Sequence, residues 1–254
     1  MTQPVMIFDG RVAVITGGSR GIGRAIALGF AEAGAHVLVN FYLNTAAAEA
    51  TCAEIAKRGV KAYAVQADVK DPGEIRRLFD AVRNHFGRVD FLVNSAASGV
   101  FRPALQLSPK HWDWAMDTNV RPLLLCAQAA APLMTRGGRI VSVSSLGADR
   151  VIPYYAGVGV SKAALESLTR YLAVELGPRG ITVNAVSAGA VDTEVWRQFP
   201  EGEAILEHVR DRTPNGRLLT PEDVAAAVLF LCRPEAEMIQ GQVVVVDGGY
   251  SLLA

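Results

Sequence analysis

Val12-Ala13-Val14-Ile15-Thr16-Gly17-Gly18-Ser19-Arg20-Gly21-Ile22-Gly23 passes from a run of apolar β-formers into a glycine-rich loop, and a segment of helical period follows it. Val12 to Thr16 is nearly continuously apolar, as a strand covered on both faces should be. Ile22, Ile26 and Phe30 then recur at every fourth position, the spacing of one helix face. The glycines between have separable tasks. Gly17 permits a sharp turn, Gly21 lets backbone approach a ligand, and Gly23 allows the helix to pack close to the strand. The helix N-terminus then faces whatever lies over the loop. A glycine pattern alone is weak; set between a strand and an amphipathic helix, it implies the pyrophosphate of a dinucleotide. Ser19, Arg20 and Ile22 complete the set expected to face it.

Working outward, six more runs rich in Val and Ile read as strands: His36 to Asn40, Ala62 to Gln66, Phe91 to Asn94, Ile140 to Ser144, Thr182 to Ser187 and Val243 to Val246. Helical spacing separates them, as in Ile75, Leu78, Phe79, Val82 and Phe86, or Leu165, Leu168, Leu172 and Leu176. Thr220-Pro221-Glu222-Asp223 announces another helix, with a capping threonine, proline at the first position and acids in the first turn. Alternation of this kind predicts an α/β fold: a doubly wound, Rossmann-type parallel sheet of about seven strands with helices on both faces. Its ligands should bind beyond the carboxyl ends of the strands. No linker or repeat interrupts residues 1–254, which read as a single dinucleotide-binding domain. Residues 192–219 lack a strand yet contain Val195, Trp196, Phe199, Ile205 and Leu206. They read as short helices forming a substrate lid, or equally as ordinary surface helices.

Composition narrows the partners. The 25 basic and 25 acidic side chains cancel, leaving no overall field for nucleic acid or an anionic membrane. Cys52, Cys126 and Cys232 have neither paired nor metal-ligand spacing, and no His, Cys, Asp and Glu cluster suggests a metal. The first ten residues lack a basic region followed by a long apolar run, and no uninterrupted apolar stretch reaches about 18 residues. The expectation is a soluble cytoplasmic protein.

The second strand decides which dinucleotide. An acid at its end would bond a ribose 2′-hydroxyl and repel a 2′-phosphate, but Asn40-Phe41-Tyr42-Leu43-Asn44 contains none. Arg20 offers a planar fork to a 2′-phosphate, so NADPH is favoured over NADH, with Asn40 nearby. Asp68 and Val69 suit the adenine edge, although a helix-capping aspartate is an equally simple reading. Asn94 and Ala96, within Asn94-Ser95-Ala96-Ala97, put small residues where backbone must pass a cofactor.

One further stretch, Tyr154-Tyr155-Ala156-Gly157-Val158-Gly159-Val160-Ser161-Lys162, reads as the first two turns of a helix ending near Leu176. At about 100° per residue, positions seven apart fall within roughly 20° of one face, so Tyr155 and Lys162 look onto one place. Tyr154 is turned about 100° farther round. Taken alone, the stretch is better read as a helix N-terminus with an aromatic staple and a solvated lysine.

With these residues placed, the chain resembles the short-chain dehydrogenase/reductase family from Gly10 to about Tyr250. The matching features are the Thr16–Gly23 loop, the turn at Asn94, Asn119 within a helix, Ser144-Ser145, Lys162, Asn184 to Gly189, and Asp247-Gly248-Gly249. The resemblance implies a nicotinamide cofactor and a homotetramer or homodimer. It also implies that Lys162 holds the nicotinamide ribose, that Thr193 binds the carboxamide, and that Gly189 and Val191 line the same site. Ser145 matches the family's catalytic serine, with a strand-end structural role an even alternative, and Asn119 braces the helix near Lys162.

The usual catalytic tyrosine stands four residues before the lysine, and that position here is Val158. Tyr155 gives Tyr-x6-Lys instead, a spacing that resembles enoyl-acyl-carrier-protein reductases. In ketone reduction the carbon receiving hydride bears the oxygen needing a proton; in enoyl thioester reduction that oxygen is three bonds away, and a displaced donor suits it. Val158 to Leu165, Leu172 to Leu176, Ser187-Ala188-Gly189-Ala190, Asp192-Thr193 and the C-terminal Gly248 to Leu253 look like the NADPH-dependent enoyl reductase III branch of fatty-acid elongation. Expected partners are acyl thioesters on acyl carrier protein or coenzyme A, with Arg197 or Arg212 candidates to meet an acidic carrier. Competing readings are a ketoacyl or other carbonyl reductase, its tyrosine drawn into place by a bulge near Gly157 and Gly159, and a catalytically inactive NADP-binding sensor.

Overall fold

A computed structural model describes residues 6–193, 196 and 202–253, apart from the Arg136 side chain. Among them, strands β1 (Val12–Thr16), β2 (His36–Phe41), β3 (Ala62–Gln66), β4 (Val89–Asn94), β5 (Met134–Ser145), β6 (Thr182–Ala188) and β7 (Val243–Val246) form one sheet. It is parallel throughout, in the order β3-β2-β1-β4-β5-β6-β7. The order reverses between β1 and β4, and in doubly wound sheets the crevice at that switch point takes the ligand.

Helices α1 (Gly21–Glu32), α2 (Thr45–Ala56) and α8 (Pro221–Leu231) cover one face; α3 (Pro72–Phe86), α5 (Arg121–Ala130) and α6 (Ala156–Leu176) cover the other. Ile26, Phe30, Val224 and Val228 join the first core, where the rings of Phe8, Phe30 and Phe91 lie 4.7–5.5 Å apart. Leu78, Leu123, Leu165 and Leu172 fill the second against Val14, Leu92 and Ile140. Helix α4 (Pro109–Asn119) adjoins α5 and α6, and α7 (Gly202–Arg212) precedes α8. The expected capping box at Thr220 and Asp223 is formed.

Three boundaries differ from the sequence reading by two residues or more, each for a local reason. Strand β5 begins at Met134, six residues before Ile140, because glycines and polar side chains at 135–139 conceal an irregular strand, with Gly137 at φ 91°, that pairs Met134 with Val89 before the register shifts. Strand β4 includes the buried Asp90, whose carboxylate accepts from Val12 N at 2.9 Å and pairs with Arg88. Helix α6 begins at Ala156, not Tyr154. Tyr154 has φ 64°, and Tyr155 is the N-cap at φ −102°, ψ 5°. The angular argument that set Tyr155 and Lys162 on one helical face therefore does not apply to the tyrosine.

Candidate functional site

Thr16 ends β1 and ties the two central loops together: its hydroxyl oxygen accepts from Ser95 N at 3.0 Å and Ala96 N at 3.1 Å. Gly17 has φ 64°, and a Cβ there would lie 2.9 Å from Ala96 Cα. Gly23 sits so close under the loop that its Cβ would be 2.3 Å from the Gly17 carbonyl oxygen. Gly21, at φ 52°, has nothing within 4 Å of the same position, so this side of the loop is open. Arg20, the exposed N-cap of α1, makes no capping hydrogen bond with its side chain, and the first turn contains no acid. Its N–H groups and the helix dipole are thus left for an anion. Nearby, Asn94 is buried with Nδ2 unpartnered. An uncapped helix end, a glycine cradle and an orphaned donor fit a dinucleotide phosphate and its adjoining groups.

The other expected cofactor residues are distributed around this cradle. Ser19 is half-buried and its carbonyl accepts from Thr51; Ile22 is half-buried one residue beyond Gly21. Asn40 is buried and spends its side chain internally, Oδ1 accepting from Gly17 N at 3.3 Å and Nδ2 donating to Ala67 O at 3.0 Å. It shapes the loop from beneath. Asp68 is half-buried and paired with Lys70, Val69 is buried, and the helix cap proves to be Asp71, whose side chain accepts from Glu74 N. On the other side of the switch point, Gly189 lies against Asp247, 2.9 Å from a would-be Cβ to that residue's own. Val191 is buried and bridges to Leu219, while the Thr193 carbonyl accepts from Trp196 N. Of the lid residues, Val195, Arg197 and Phe199 lie outside the described residues; Ile205 and Leu206 are half-buried on α7.

The end of β5 gathers the chemistry. Lys162, buried on α6, donates from Nζ to the Val143 carbonyl at 2.7 Å. Burial pushes its ammonium down to about 8, against a weaker upward pull from Glu166. The Tyr155 phenol lies beside the Ser145 hydroxyl; burial holds the phenol above its ordinary value and Ser145 acts in the opposite direction. Asn119 joins three elements, accepting from Ser98 N at 2.9 Å and donating to Ser161 Oγ at 2.8 Å, one residue before Lys162. Tyr154, left-handed and 46% exposed, is turned away from this cluster into solvent.

Packing explains why the phenol comes from position 155. Helix α6 runs unbroken through Gly157 and Gly159, so the bulge imagined for a carbonyl reductase is absent there. Val158 is buried in the first turn, its Cγ2 only 2.4 Å from where a Gly99 Cβ would stand. The Tyr155 ring occupies space that a Gly147 side chain would fill, since a Cβ there would be 2.5 Å from Cδ1, and it stacks parallel to Phe101 with centroids 5.9 Å apart. Sequence reasoning missed Gly99, Phe101 and Gly147. Glycines near Tyr155, eight residues before it at 147 and two and four after it at 157 and 159, were the one visible signal that backbone is kept clear around a ring.

Comparisons with known proteins establish the family. The family model described as enoyl-(acyl carrier protein) reductase fits residues 17–251. A 1-cyclohexenylcarbonyl-CoA reductase of Streptomyces collinus is 44% identical over 96% of this chain and 88% of its own length. A hydroxynaphthalene reductase-like protein of Metarhizium majus is 38% identical over 94% of each chain. Among solved structures, a short-chain dehydrogenase of Burkholderia cenocepacia in complex with NADP superposes with TM-score 0.89 and 40% identity, covering 96% of this chain and 99% of the other. A glycine cradle over a reversed sheet order, a half-buried tyrosine and a buried lysine at one strand end, and matches of this extent have one reading: the chain belongs to the short-chain dehydrogenase/reductase family of oxidoreductases.

Proposed function

We propose that this oxidoreductase reduces the carbon–carbon double bond of trans-2-enoyl thioesters, carried on acyl carrier protein or coenzyme A, with NADPH in fatty-acid elongation. One observation carries the reading: the only phenol set in the Ser145 and Lys162 cluster among the described residues is Tyr155, outside α6, while Val158 fills the helical position four before the lysine. The Streptomyces relative, named for a cyclohexenylcarbonyl thioester, supports it. Arg20, exposed beside the open face of the loop, and the lack of an acid at the end of β2 favour the phosphorylated dinucleotide, as does the NADP complex of the Burkholderia neighbour.

When bound, NADPH supplies the hydride. Gly17, Gly21 and the amino end of α1 hold its phosphates; Asn94 and Ala96 border its path; Thr193 fixes its carboxamide; and Lys162 holds its ribose. Tyr155 donates a hydrogen bond to the thioester oxygen as charge develops there, a contribution typically of order 10²–10³ in rate. Lys162 places a positive charge near that phenol and favours loss of its proton. Ile205 and Leu206 of α7 cover the acyl chain, and Arg212 meets an acidic carrier. The working form is a cytoplasmic homotetramer.

Purified protein with NADPH decides among the readings. Oxidation of the cofactor with crotonyl thioester but not acetoacetyl thioester is the expected result; the reverse overturns it. That reverse is the second reading, carbonyl reduction. It draws on the approach of Ser145 to Tyr155, which sets two donors at one place, and on the hydroxynaphthalene reductase-like relative. Tight NADPH binding without turnover on either substrate would mark a sensor.

A further inference from the structure

Three consecutive residues at the end of β5 reach α6 or its N-cap. The Val143 carbonyl accepts from Lys162 Nζ at 2.7 Å, the Ser144 hydroxyl donates to Glu166 Oε1 at 2.5 Å, and the Ser145 hydroxyl meets Tyr155. The first and last ties hold the ammonium and the phenol. The middle one has no part in the roles assigned so far, yet it closes the same segment of strand against the same helix. Glu166 stands one turn beyond Lys162, so the two side chains are neighbours on one face of α6. Its carboxylate is half-buried. The charged groups around it come from several elements: Lys162 and Arg170 from α6, and Asp149 from the turn after β5. Burial raises its carboxyl above the usual range, and the Ser144 hydroxyl opposes that rise. A half-buried acid bonded to strand and set beside a fully buried amine has a cost of desolvation that its surface position on the helix does not explain.

We propose that Glu166 is a positioning residue of the site: bonded to Ser144, it locks the 143–145 strand end onto α6, and it supplies the negative charge that faces the Lys162 ammonium. Removing the carboxylate therefore acts on Lys162 twice, by loosening its carbonyl partner and by taking away the one acid near enough to favour its charged form. Glu166 touches neither substrate nor cofactor in this scheme; it works through Lys162 and Tyr155, and so rests on their assignment as the working pair.

The experiment separates charge from geometry. Glu166→Gln keeps an acceptor for Ser144 and loses the charge; Ser144→Ala keeps the charge and loses the tie. In ligand-free protein labelled with ¹³C at the lysine ε-carbon, with the Lys162 signal assigned through Lys162→Arg, Glu166→Gln should lower the Lys162 titration midpoint by at least about half a pH unit. The alkaline limb of kcat for crotonyl thioester should move down with it. Ser144→Ala should cut kcat about fivefold or more with KM for thioester and NADPH within twofold. An unchanged Lys162 midpoint in Glu166→Gln overturns the proposal, whatever the activity; so does Ser144→Ala with kcat within twofold of the parent. Because Glu166→Gln is isosteric and its readout needs no turnover, it decides even if Ser144→Ala fails to fold. A parent enzyme inert toward enoyl thioesters would sink the proposed function alone, leaving the titration to settle the role of Glu166.

Discussion

Lys162 is a cation held where water is absent, and its energetics run against the fold. An unfolded lysine keeps its proton to about 10.5, whereas this one releases it near 8. Between those values the unfolded chain binds more protons, so stability rises with pH across that window; below about 8 the buried charge costs on the order of 3 kcal/mol. Lys162→Met should therefore raise the melting midpoint of the ligand-free protein at pH 7 by roughly 5 °C, after allowing for the lost bond to Val143, and the gain should shrink toward pH 10. Circular dichroism melts at the two pH values check this, and a midpoint that falls at pH 7 contradicts it. Turnover should collapse in the same variant, the trade expected of a functional residue kept at a cost to stability. Tyr155→Phe probes the partner group. It should lower kcat at least ~10²-fold while leaving NADPH affinity nearly unchanged, because the phenol acts only on the charge developing at the substrate. A loss under about threefold would remove Tyr155 as donor.

At the scale of elements, the site depends on how closely the 95–99 loop meets the first turn of α6. A methyl group on Gly99 would stand 2.4 Å from Val158 Cγ2, and a β-branched side chain in a helix has little rotamer freedom to retreat. Gly99→Ala should thus destabilise the protein by ~1–3 kcal/mol and lower kcat by shifting the start of α6; adding Val158→Ala should recover most of both losses. Urea unfolding and steady-state kinetics on the two singles and the double close the cycle, and purely additive effects would show that the two residues are not in contact. The same junction marks the boundary of what sequence reveals. Lys162, Val158 and the end of α6 near Leu176 were legible from leucines at three-four spacing and from the family pattern. The start of the helix was not, since Tyr154 is a left-handed residue of a type that rarely adopts φ 64°, and nothing in a tyrosine pair advertises it. Asp90 and the glycines of β5 likewise hid strand, because a buried charge and a flexible backbone contradict the local signal that long-range pairing then overrides.

Across the whole molecule, the parallel sheet followed from alternation, because apolar runs separated by helices leave few other arrangements; the order of its strands came only with the structure. Surfaces carry no such rule, and the proposed tetramer is argued from what the fold leaves uncovered. Tyr171 and Val174 on α6 are 74% and 80% exposed, with Leu124 of α5 and Trp112 and Trp114 of α4 also open to solvent. Phe230 of α8, Val245 of the edge strand β7, and Met238 and Leu252 are exposed as well. Large apolar side chains left open in this way mark association surfaces, and an isologous contact uses the same patch on both copies. One such patch closes a dimer; two distinct patches, each paired across its own two-fold axis, close a tetramer and leave nothing to grow a filament. The parent protein should therefore run as a tetramer in light-scattering chromatography. Tyr171→Glu with Val174→Glu should yield dimers held by the β7 face, Phe230→Glu with Val245→Glu should yield dimers held by the α6 face, and the fourfold variant should be monomeric. A monomeric parent refutes the assembly outright, and dimers lost entirely by either pair of substitutions would show a single interface in place of two.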